Sequence, residues 1–115
     1  MMPSLARYCF ALDLIDDAAR ITEYESHHAN VWPEVRASFH RAGIENVELY
    51  RAGNRLFMIL DTNEQFSFDK KKKIDEEDPV VQKWEALMST YQQPLPWAAP
   101  GEKWVLMKTI FKLNK

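Results

Sequence analysis

Tyr8 to Leu14 (YCFALDL) is a short, mostly apolar run that predicts a buried strand. Asp16 and Asp17 follow it, and they suit a helix N-terminus, where a carboxylate caps free N–H groups and meets the positive end of the dipole. Beyond them Ile21, Tyr24, His28, Trp32, Val35, Phe39 and Ala42 recur at spacings of three and four, which turns one helical face toward an interior. Pro33 interrupts that face. A proline inside a helix removes a hydrogen bond, clashes with the preceding turn and pushes the residue before it out of helical geometry. The pattern therefore predicts a helix ending near His28, a break at Ala29–Trp32, and a second segment from Pro33 to Ala42 closed by Gly43 as a C-terminal cap.

Ile44–Arg51 and Leu56–Thr62 read as two strands joined by the turn Ala52-Gly53-Asn54-Arg55, a hairpin. Asn63–Asp78 contains KKKKIDEED, whose charges nearly cancel, so it reads as a solvated helix or loop surface. Pro79–Tyr91 is an amphipathic helix with Val80, Trp84, Leu87 and Tyr91 on one face. QQPLPWAAPG is a proline-rich loop, and Lys103–Leu113 (KWVLMKTIFKL) is the last strand. The order is β-α-β-β-α-β in a single domain spanning 1–115, the ferredoxin-like α+β pattern. In the last strand Trp104, Leu106 and Ile110 fall on one side and Val105, Met107 and Phe111 on the other. An apolar sheet face left open by the helices is normally covered. The expected cover is a second copy, sheet face to sheet face, giving a homodimeric α/β barrel.

Composition narrows the function classes. The chain has 115 residues, a formal charge of −2 and a pI near 5.9, so it lacks the basic surplus of a nucleic-acid binder. No apolar run approaches membrane-spanning length and the start carries no signal-peptide core, so a cytoplasmic protein without membrane association is expected. Cys9 is the only cysteine, which excludes an internal disulfide. The three glycines form no phosphate-cradling loop or dinucleotide fingerprint. His27 and His28 are adjacent and no His-x-x-x-His occurs, so neither a metal nor another cofactor is expected.

Tyr24, His28 and Trp32 stand four residues apart. His28 would lie at a helix C-terminus, whose partial negative charge favours the protonated imidazole, and a proton donor beside a phenol and an indole suits acid–base work. A histidine packed and hydrogen-bonded at a kink fits the same periodicity. His27 points to another face as a solvated residue, and His40 reads as a polar residue near the end of the second segment. The residues alone thus give a small dimeric α+β domain with one candidate general acid in an aromatic setting.

The combination Tyr24-x-x-x-His28-x-x-x-Trp32-Pro33-Glu34, the Gly43 helix end, the strand ending in Tyr50, NRLFMIL and VVQKWEALM resemble the L-rhamnose mutarotase family over nearly the whole chain. That resemblance implies a small dimeric ferredoxin-like enzyme that interconverts the anomers of 6-deoxy-L-sugars without a cofactor. Carried over position by position, His28 matches the family's proton donor and Tyr24 a sugar contact. Trp32 and Trp84 would offer apolar surface to the sugar, with packing around the Pro33 kink as the alternative for Trp32, and Val47, Tyr50 and Glu85 complete the implied substrate site. Val47 replaces an aromatic residue, and Trp84-Glu85 replaces a Trp-Trp pair. With FSFDKKKKID and QQPLP…PGEKW, these changes resemble the branch associated with L-fucose catabolism, so L-fucose is favoured over L-rhamnose. The base remains open between Tyr24, a carboxylate such as Glu85, and a bound water. Two other classes share the fold: a non-catalytic small-ligand-binding module and an oxygen-dependent monooxygenase.

Overall fold

The computed structural model describes residues 6–114. Strand β1 (Ala6–Leu14) pairs antiparallel with β3 (Arg55–Thr62), which pairs antiparallel with β2 (Ile44–Ala52) across a tight turn at Gly53, φ +59°. The turn and the two strands follow the hairpin expected from the sequence. Helix α1 (Ala18–Ala29) starts where Asp17 accepts a hydrogen bond from the Arg20 amide at 3.1 Å, so the aspartate acts as the cap. The chain then breaks at Asn30–Trp32 and resumes as α2 (Pro33–Arg41), with Pro33 at the first helical position, where its missing N–H costs nothing. Trp32 is extended at φ −56°, ψ 135°, the geometry forced on a residue before proline.

Helix α3 (Phe68–Glu77) is capped by the Ser67 hydroxyl, which accepts from the Lys70 amide at 3.1 Å. It buries no residue fully, as a solvated segment should, although its Ile74 packs against the core, as does Phe66 just ahead of the helix. Helix α4 (Pro79–Ser89) begins on Asp78, whose side chain accepts from Val80 and Val81. Strand β4 (Gln92–Gln93) and strand β5 (Val105–Leu106) both pair with β1, giving the sheet order β2-β3-β1-β4 with β5 beside β1. This is the ferredoxin-like α+β fold, with each helical crossover split in two.

Leu12, Leu14, Leu56 and Leu60, each 1% exposed, alternate onto one face of the sheet and meet the helices there. Tyr24 from α1, Val35 from α2, and Trp84 and Met88 from α4 close the main cluster over Leu14 and Leu56. On the other face, Arg7 pairs with Asp61 at 2.7 Å and Arg55 with Asp13 at 2.8 Å. Cys9 lies opposite Ile59 and Ala11 opposite Phe57 between these two ion pairs. Among the described residues, no helix covers that face.

Two expectations change. QQPLPWAAPG does not begin as a loop, because Gln92 and Gln93 bridge to Leu14 and Asp13 of β1. The strand expected at Lys103–Leu113 shrinks to Val105–Leu106, with a further bond from the Met107 amide to the Cys9 carbonyl. Ile110, Phe111 and Leu113 beyond it are 89%, 76% and 82% exposed. The apolar pattern there calls for burial on both sides, and one chain supplies neither.

Gly43 closes α2 at φ +90°, and a Cβ there would lie 2.7 Å from the Asn63 side-chain oxygen and 2.9 Å from the Phe66 amide nitrogen. Both the left-handed backbone and the close approach exclude a side chain. Gly43→Ala is expected to cost ~1–3 kcal/mol from backbone strain alone, read as a lower midpoint in urea with unchanged slope. An unchanged midpoint would refute this account of the turn.

Candidate active site

The last turn of α1 carries His27 and His28. His28 Nδ1 lies 2.8 Å from the Tyr24 carbonyl oxygen. A carbonyl only accepts, so Nδ1 holds the proton and donates it, leaving the Nε2 lone pair for other work. Among the described residues Nε2 has no hydrogen-bond partner. The imidazole sits between the Tyr24 ring, 4.6 Å away centroid to centroid, and the Trp84 indole, met edge-on at 5.5 Å. Burial between these rings pushes the His28 pKa below its ordinary value of 6.5, the adjacent His27 adds a small push, and the bond to Tyr24 opposes both. Desolvation thus works against the preference of a helix end for the protonated imidazole and shifts the ring toward its neutral form.

His28 lines a cavity of about 750 Å³ between the helices and the covered face of the sheet. Its volume falls in the range that takes small organic ligands. Tyr24 and His28 form one wall and Trp84 and Glu85 another. Val47, Leu49 and Met58 supply an apolar floor from the hairpin. Burial raises the Tyr24 phenol above its ordinary 10.0, against a smaller lowering by the Gln92 amide, so it stays protonated as a hydrogen-bond donor. Lys103 donates to the Ser89 hydroxyl at 2.7 Å, and desolvation lowers its pKa while Glu85 pulls it back up.

Of the residues named from the sequence, Tyr24, His28, Val47, Trp84 and Glu85 come together around this cavity. Trp32 does not line it: its indole packs edge-on against Trp84 at 5.2 Å and so supports that wall from behind. Tyr50 does not belong to it either. It lies opposite Phe57 on the other face of the sheet, 53% exposed, bonded to Glu48. With a side-chain period of two, a strand that turns Val47 and Leu49 inward must turn Tyr50 out. His27 is less solvated than expected, since it lies 3.2 Å from the Tyr91 hydroxyl. Sequence reasoning missed Gln92, Lys103 and Trp104 as cavity residues. Gln92 gave no signal because its place depends on a two-residue bridge inside a proline-rich stretch. Trp104 was visible as apolar, but only the β5–β1 register assigns its face.

Among the described residues, no group of three His, Cys, Asp or Glu could hold a metal ion, and no helix is long and apolar enough to cross a membrane.

The fold and cavity define a small ferredoxin-like α+β protein in which His28, with one imidazole nitrogen free, lines a half-open, partly aromatic pocket. The sequence profile of L-rhamnose mutarotase matches residues 7–113. The chain is 46% identical to an L-fucose mutarotase of Xanthomonas campestris pv. campestris over 114 residues, covering 97% of this chain and 91% of that one. An L-rhamnose mutarotase from Formosa agariphila superposes with a TM-score of 0.69 at 19% identity, over 95% of this chain and 99% of that one. SnoaB, a cofactor-independent oxygenase from Streptomyces nogalater, superposes with a TM-score of 0.56 at 14% identity, over 99% and 100%. Both structural likenesses show the fold alone. The chain belongs to the L-rhamnose mutarotase family, which makes it a sugar mutarotase of the isomerase class.

Proposed function

We propose that this mutarotase acts on 6-deoxy-L-hexoses, on L-fucose in preference to L-rhamnose, with His28 as the proton-transferring residue. The observation that carries the reading is the fixed tautomer of His28: one ring nitrogen spent on the Tyr24 carbonyl, the other free in a residue that lines the cavity. Neutral Nε2 takes the proton from the anomeric hydroxyl. The C1–O5 bond breaks as the C1 carbonyl forms, and negative charge grows on the ring oxygen. The imidazolium then returns its proton to that oxygen, so His28 serves as base and then as donor. Rotation about C1–C2 and closure on the other carbonyl face run the same steps backward. Atoms and protons balance without a cofactor.

The sugar preference rests on Val47 and Glu85. The carboxylate offers an acceptor to a hydroxyl, and the valine leaves room that a ring would fill. The working form is a homodimer in the cytoplasm, formed through the helix-free sheet face and the exposed apolar tail at Ile110 and Phe111. Light scattering of the eluted protein at micromolar concentration is expected to give twice the chain mass. A monomer would remove the dimer from the account.

Saturation transfer between the α and β anomeric proton signals, run across several aldoses, tests the substrate. L-Fucose should exchange fastest, L-rhamnose more slowly, and sugars lacking the deoxy methyl slower still. L-rhamnose exchanging faster than L-fucose would reverse the assignment.

A further inference from the structure

Two buried side-chain atoms stand without a hydrogen-bond partner among the described residues: Arg20 Nε and Gln92 Oε1. Arg20 lies away from the cavity, with its guanidinium over the Tyr91 ring and a second nitrogen bonded to the Thr90 carbonyl. Gln92 is part of the cavity wall. Its Nε2 donates to the Tyr24 hydroxyl at 3.2 Å, and its backbone is fixed by pairing with Leu14 in the core strand. An unpartnered buried carbonyl costs ~1–3 kcal/mol, and native proteins rarely keep one without a use. Turning the amide about its last bond removes nothing, because it only exchanges which of the two polar atoms is left over.

We infer that Gln92, together with Tyr24, reads one ring hydroxyl of the bound sugar and so determines which sugars enter productively. The phenol already accepts from Gln92, so its own O–H is unspent among the described residues. The pair thereby offers one donor and one acceptor side by side. A hydroxyl is the group that satisfies both, since it accepts and donates at a single oxygen; a methyl group or a ring oxygen satisfies one or neither. A site built to bond a hydroxyl rejects the analogue that lacks it far more strongly than an apolar pocket rejects an added group. The inference deepens the mutarotase reading and rests on it for the identity of the ligand.

The test compares wild type with Gln92→Met on L-fucose and its 2-, 3- and 4-deoxy derivatives. Binding is read by tryptophan fluorescence and turnover by anomer exchange. Wild type should bind one deoxy derivative roughly tenfold to a hundredfold more weakly than L-fucose, and Gln92→Met should bind that derivative and L-fucose alike. Gln92→Asn, which keeps the amide but withdraws it from Tyr24, should lose the discrimination too. The melting temperature of Gln92→Met should stay at or above that of wild type, because the orphaned atom is gone. A wild-type pattern of discrimination in both variants overturns the inference, as does a lower melting temperature with recognition intact. Gln92-dependent binding without any rate enhancement would remove the mutarotase reading and leave the inference standing. Rate enhancement with no Gln92-dependent discrimination would do the reverse.

Discussion

His28→Ala is expected to abolish most of the acceleration of L-fucose anomer exchange, a loss of ~10²–10⁴-fold, while the protein stays folded and still binds sugar. The ring is only partly buried, and its one protein hydrogen bond goes to a carbonyl in its own helix. Its removal therefore leaves the Trp84 and hairpin walls in place. The loss should fall on kcat, with KM changed by a few-fold at most, as when an interaction made only in the transition state is deleted. The anomers also interconvert in water, so the measured rate falls toward that background rather than to zero. A variant that exchanges L-fucose as fast as wild type would remove the imidazole from the chemistry.

Trp84→Ala should have the largest effect on the fold. The indole is buried in the main cluster, meets His28 and Trp32 edge-on at 5.5 and 5.2 Å, and also forms a cavity wall. Cutting a buried tryptophan to alanine costs ~3–5 kcal/mol, from lost transfer energy plus the void left behind. For a domain of this length that lowers the melting temperature by roughly 10–20 °C. Because the same ring holds the His28 imidazole from one side, exchange activity should fall even below the new midpoint, with KM rising. Trp84→Phe keeps an edge-on aromatic contact and should recover much of both losses. A shift under about 1 kcal/mol in Trp84→Ala would mean that the helices close over the sheet without this residue.

The sequence carried the helices and the hairpin because their signals are local. Ile21 through Ala42 hold a helical period, Pro33 breaks it where steric rules require, and Gly53 marks the turn. Part of the cavity was legible for the same reason: Tyr24 and His28 share a helical face, and Trp84 lies on the apolar face of α4. What failed depended on pairing between distant segments. Tyr50 was assigned to the sugar site although strand alternation sends it to the face away from Val47 and Leu49. Trp32 was assigned to the same site, yet its place behind Trp84 follows from how α2 docks, which no periodicity states. Gln92 and Lys103 come from flanks of the proline-rich loop, where there is no period to read. The length of the last strand misled because its apolar residues anticipate cover on both sides, and among the described residues only Val105 and Leu106 of that segment find a ladder partner.

The pH dependence of the wild-type exchange rate tests the central claim most directly. A neutral imidazole must take the first proton, and burial holds its pKa below 6.5. The enzymatic part of the rate should be flat through neutrality and should decline only on acidification past a midpoint lower than 6.5, as Nε2 becomes protonated. That acid limb should be absent from the residual rate of His28→Ala. An enzymatic rate that instead climbs as the solution is acidified through this range would show a cationic donor at work, contrary to the account.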